Sequence, residues 1–158
     1  MEQNGVEILL QSLLKKREVL DLLIDLGQRQ EEMLKQERLD MDGLNALLEE
    51  QGNLVEQLDR LDQGFELVYD RCRNQIMEHK DLYQKEIRAI QECIQEITAK
   101  ISTINACNMR NKVAAEGHFR REKQEISQNV SKTKVARNYY NSMNKLNYVS
   151  PQFYDNKK

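Results

Sequence analysis

Apolar residues return every three or four positions along most of this 158-residue chain. That spacing places them on one face of an α-helix. Val6, Leu9, Leu10, Leu13, Leu14, Leu20, Leu23, Ile24 and Leu34 predict a first helix over about 5–37. Their stripe is wider than a two-per-heptad seam, which suits a helix touching two neighbours. Gly27 and the polar run from Gln28 to Glu32 weaken its second half. Asp40 or Asp42 is placed to cap the next helix, because a short carboxylate accepts the orphan amides of a first turn.

A second helix over about 41–79 carries the cleanest code. Leu44, Leu47, Gln51, Leu54, Leu58, Leu61, Phe65, Val68 and Cys72 alternate by three and four, with Gln51 the polar exception. This is a coiled-coil-like seam. Gly52 and Gly64 fall off it and leave room for a close approach, each at a cost of about 1 kcal/mol against Ala. A third seam runs through Tyr83, Ile87, Ile90, Ile94, Ile97, Ile101 and Ile104. Counting heptads on from Cys72 reaches Glu86 rather than Ile87, so the phase slips by one residue between 73 and 83. Either the chain turns back there, with Asp81 as cap of a helix over about 81–126, or one helix absorbs a stutter. A turn is favoured, since three comparable helices can bury one another's stripes. Beyond Ile104 the seam becomes polar and small at Asn108, Asn111 and Ala115, and a buried Asn fixes register and partner choice.

These readings give an all-α fold: a long antiparallel bundle or coiled-coil-like hairpin of three helices over 1–126, then a short C-terminal helix or tail over 127–158. The last part differs in character. From Ser127 onward there are six asparagines, and Asp155 is the only acid. Asparagine is a weak helix former. Val135, Tyr139, Met143 and Leu146 nevertheless share one helical face. A marginal helix with an apolar stripe either docks on its own bundle or orders against a partner. The only proline, Pro151, closes the helical part and opens a short tail.

Charge divides the chain. Residues 1–70 hold 7 basic and 17 acidic side chains, net −10; residues 71–158 hold 17 and 9, net +8. The halves attract, and the basic one suits an acidic partner. Nucleic acid is disfavoured, because the basic residues of the tail are sparse and the pI is 5.8. Mean hydropathy of −0.78 and the lack of a long apolar run argue against a membrane span. The start, Met1 to Gly5, lacks the basic and apolar pattern of a signal peptide, so a cytoplasmic location is expected. Cys72, Cys93 and Cys107 match no metal spacing and read as small apolar groups, although Cys93 and Cys107 fall on roughly one face. His79 and His118 sit among charged residues and read as solvated or weakly hydrogen-bonded. With no nucleophile constellation and no phosphate loop, neither enzyme activity nor a cofactor is expected.

Three stretches resemble the FlgN-type flagellar export chaperones, with FliT-type chaperones close behind. They are Leu44 to Leu61 (LNALLEEQGNLVEQLDRL), Ile97 to Ala115 (ITAKISTINACNMRNKVAA) and Ser150 to Lys158 (SPQFYDNKK). The resemblance implies a cytoplasmic, all-helical type III export chaperone. Its cargo would be hook-associated (hook–filament junction) proteins, bound through their C-terminal helices and passed to export apparatus components. Asn105 and Asn108 would tune specificity or register, and Val135, Tyr139, Met143 and Leu146 would anchor the partner. The alternative is a structural coiled-coil adaptor that works by self-assembly, and a homodimer is compatible with the seams.

Overall fold

A computed structural model describes residues 5–122 and 130–146, with side chains described over 5–122 and 134–143. The fold is all-α, and its described helices are α1 (Gly5–Leu34), α2 (Met41–Glu78), α3 (Gln84–Arg121) and α4 (Val130–Leu146). Among the described residues, no helix is long and apolar enough to cross a membrane.

The boundaries follow from local chemistry. Between α1 and α2, the Asp40 carboxylate accepts the Gly43 amide at 3.0 Å, and its carbonyl accepts the Leu44 amide at 2.9 Å. Asp40 is therefore the N-cap of α2, and Asp42 lies inside the first turn. Leu39 and Leu44, on either side of the cap, are both buried at the positions of a hydrophobic staple. A Cβ at Gly43 would stand 2.5 Å from Asp40 Oδ2 and 2.8 Å from Met33 Cε, so a side chain here would displace the ends of two flexible side chains, one of them the capping carboxylate. The phase slip after Cys72 corresponds to a turn at 79–83. There the Tyr83 carbonyl accepts the Ile87 amide at 2.8 Å, which opens α3 two residues beyond Asp81. Asp81 is a turn residue, not the cap.

The chain divides into two compact units, and each long helix contributes a stretch to both. The first comprises residues 5–21 and 56–101. Its core joins Leu9, Leu13, Leu58, Phe65, Ile90 and Ile97. α1 and α2 run in opposite directions here: a Cβ at Gly5 would meet Cys72 at 3.0 Å, and Ser12 Oγ donates to the Leu61 carbonyl at 3.4 Å. α1 and α3 run in the same direction, since Arg17 pairs with Glu96 at 2.6 Å and Asp21 with Lys100 one turn further on both. The ion pair from Lys16 to Asp62, at 2.8 Å, lies among the apolar side chains. Burial outweighs the attraction of Lys16 and pushes the Asp62 carboxyl above its usual range.

The second unit comprises residues 22–55 and 102–146. Leu23, Leu26, Leu44, Leu48, Ile104 and Ala115 are part of its core. Polar groups are buried with them. Asn111 Nδ2 donates to the Gly27 carbonyl at 3.0 Å, and His118 Nε2–H donates to the Leu34 carbonyl at 2.7 Å. His118 is thus a buried hydrogen-bond donor to the last turn of α1: of the two readings, solvated or weakly hydrogen-bonded, burial excludes the first. Gln30, within the run expected to weaken α1, is fully buried. Neither of its amide atoms has a hydrogen-bond partner among the described residues. Gln51 is buried on the α2 seam with its carbonyl oxygen unpartnered among the described residues. Gly52 and Gly64 face open space, so no close approach explains them.

Candidate partner-binding site

The segment singled out as a docking element folds as α4 and packs within the second unit. Val135, Tyr139 and Met143 are all buried there. The Leu146 side chain lies outside the described residues, as do Tyr148, Pro151, Phe153 and Tyr154. Two contacts fix the position of α4. Asn138 Nδ2 donates to Asn45 Oδ1 on α2 at 3.2 Å. On α3, Phe119 meets Tyr139 edge-on, with ring centroids 6.1 Å apart and planes at 77°. Tyr139 and Tyr140 stand at 88° to each other, and Phe119 also lies 6.4 Å from Tyr140. Edge-to-face rings of this kind add a modest attraction beyond the area they bury.

Tyr139 is the anomaly of the site. It is 0% exposed, and its hydroxyl has no hydrogen-bond partner among the described residues. Burial, with Tyr140, Cys107 and Glu116 nearby, pushes its phenol well above the ordinary tyrosine value. A buried hydroxyl without a partner is destabilising. The helix that delivers it is rich in asparagine, so α4 is held by a few apolar side chains against opposing local terms.

The two asparagines proposed alongside α4 are placed differently. Asn105 is half-buried on α3. Asn108 lines a small recess of about 80 Å³ between α1 and α3, together with Leu23, Gly27, Glu31 and Cys107. Sequence reasoning assigned register to the polar part of the α3 seam, and the buried donor that performs it is Asn111. Gln30 and His118 were missed as interior residues, although each sits at a position its helix periodicity assigns to the core, whereas Gln51 was read on the α2 seam and is buried there. A second, open groove of about 580 Å³ lies between α1 and α2, with Asp25, Glu32 and Glu50 around Met33 and Leu47.

Other chemistry is sparse. The three cysteines are free and buried, and burial pushes each thiol up, away from the reactive thiolate. No group of three or more metal-ligating side chains occurs among the described residues.

The family model described as FlgN protein matches residues 1–146, ending on the last residue of α4. The chain belongs to the FlgN family. It is therefore a flagellar type III export chaperone, of the first of the two kinds its sequence resembles. No curated protein and no solved structure matches it. The FlgN match takes in α4 with the three long helices.

Proposed function

We propose that the chain acts in the cytoplasm by binding rather than by catalysis. Its cargo is the C-terminal amphipathic helix of a hook-associated protein, which it keeps competent for export and passes to the export apparatus. In this reading α4 leaves the second unit and lays Val135, Tyr139 and Met143 against the cargo helix, a helix-on-helix mode in which apolar anchors at three- and four-residue spacing carry the affinity. The observation that supports it is the unpartnered hydroxyl of Tyr139. The docked state of α4 carries a penalty that an exchange of partner can relieve. The lack of a paired nucleophile and base among the described residues favours binding: His118 spends its Nε2–H on a backbone carbonyl, and Cys107 lies 3.6 Å from the Asn111 amide.

The test is co-purification of full-length chain with a hook-associated protein. Replacing Tyr139 and Met143 by Asp should abolish it while circular dichroism shows the long helices intact. Retained binding would remove these residues from the contact. Enhanced binding would mean that cargo competes with α4 for its seat on the second unit, and would overturn the proposed exchange.

A further inference from the structure

The outer face of α3 in the second unit has no role in the packing described so far. At ~100° per residue, Met109, Val113, Glu116 and Arg120 fall within about 60° of one another. The core side of the same helix is occupied by Ile104, Cys107, Asn111 and His118. Met109 is 72% exposed and Val113 is 66% exposed. Adjacent on one face, Met109 and Val113 form a single open apolar patch rather than scattered exposures. Cations border them. Lys112 lies to one side, Arg110 to the other and Arg120 beyond, and all three are exposed. Arg110 is held towards α1 by Glu31 at 3.5 Å, and Arg120 Nε donates to the Glu116 carbonyl at 3.4 Å. Glu116 is the one acid in the row. At the border with α4, Glu116 and Arg120 lie close enough to shift the half-exposed Tyr140 phenol, though its burial shifts it more.

We infer that this face, Met109 and Val113 flanked by Arg110, Lys112 and Arg120, docks an acidic amphipathic helix of a partner protein. Charge complementarity selects the occupant. A helix with apolar residues at three- and four-residue spacing and acidic residues on both sides sets its stripe on Met109 and Val113 and its carboxylates beside the flanking cations. Glu116 favours a partner with mixed charges over a uniformly anionic surface. A nucleic acid or an anionic membrane would place phosphate against that carboxylate, whereas a helix can set a lysine there. The face also lacks the broad aromatic and leucine surface that an interfacial membrane helix uses. The inference is independent of the cargo reading, because it uses α3 with α4 docked or undocked.

The probe is a pair of synthetic amphipathic peptides, one with Glu and one with Lys flanking the same leucine stripe. Each is titrated into full-length protein labelled at its methionine methyl groups. The Glu peptide should move the Met109 resonance and bind at least about tenfold more tightly than the Lys peptide. Met109→Lys with Val113→Lys should weaken that binding by at least about tenfold, with unchanged helicity because both positions are exposed. Arg110→Glu with Lys112→Glu should reverse the preference. Equal binding of the two peptides, or a silent Met109 resonance, overturns the inference. So does phosphatidylserine vesicle binding that depends on Met109 while the peptides fail. Self-association in sedimentation that Met109→Lys abolishes would assign the face to a second copy instead.

Discussion

Removing one oxygen atom from Tyr139 isolates the weakness of α4. In Tyr139→Phe the ring stays in its seat, and its edge-on contact with Phe119 is retained. What disappears is a hydroxyl on a fully buried side chain with no partner among the described residues. Leaving such a group unsatisfied costs about 1–3 kcal/mol, so the variant should hold α4 more tightly by that order. Since 1.4 kcal/mol is a factor of ten, amide hydrogen exchange over α4 should slow by about five- to 150-fold. The sign with pH follows. The folded phenol is pushed above its unfolded value of about 10, so the wild-type contribution is fully present below pH ~10 and is lost as pH rises from there towards the folded value. A phenylalanine ring has no proton to lose and carries no such dependence, so the gap between the two proteins should widen above pH ~10. Unchanged or faster exchange in Tyr139→Phe would refute the reasoning, since it would mean that the hydroxyl is compensated. On the proposed exchange mechanism, the same variant should capture cargo less readily, because α4 is harder to release.

Gly52→Ala and Gly64→Ala should each raise stability by about 1 kcal/mol in urea denaturation, since both lie within α2 and a Cβ there meets nothing. Asp40→Ala should lower it by about 1 kcal/mol through loss of the α2 cap, and Asp40→Asn should restore most of that. Lys16→Met should cost about 3–5 kcal/mol at neutral pH, because it leaves the Asp62 carboxylate uncompensated, with only 14% of its side chain exposed. The Asp62 carboxyl already titrates above its unfolded value, so the variant's stability should rise as pH falls through that raised folded pKa and decline as pH rises through it. Denaturation curves across that range check the sign.

The seams of α2 and α3 were readable because burial there follows a regular period. The one-residue slip between them located the turn at 79–83 without any glycine or proline to mark it. Residue type was the weaker guide inside the second unit. Ile97, Ile104, Asn111 and His118 are spaced by seven on α3, and His118 inherits an interior position that its chemistry disguises. Gln30 likewise sits four residues from Leu26 and from Leu34. On α1, Val19 and Leu26 are core residues left out of the stripe, while Leu10 and Leu14 are only half-buried. A wide stripe does not show which of its edges meets a neighbour. The candidate site was legible to the same extent. Periodicity identified Val135, Tyr139 and Met143 as one apolar face. It could not show that this face is seated on the chain's own second unit, because a stripe encodes a need for cover and not its source. The Met109 and Val113 face went unnoticed, since two apolar residues at an i, i+4 spacing stand out only once the rest of α3 has its partners.

Asn111 and His118 both reach the main chain of α1 rather than its side chains. Their acceptors, the carbonyls of Gly27 and Leu34, are seven residues apart, as the donors are. The two bonds work as index marks on a scale: they fix how far α3 has travelled along α1 without reading what α1 displays. Substitutions in this stretch of α1 leave both acceptors in place. Tolerance there is limited by burial at Leu26 and Gln30 and by bulk at Gly27, where a Cβ would stand 3.2 Å from Cys107 Sγ. The second unit can therefore vary the chemistry of its α1 surface while the alignment of its helices stays fixed.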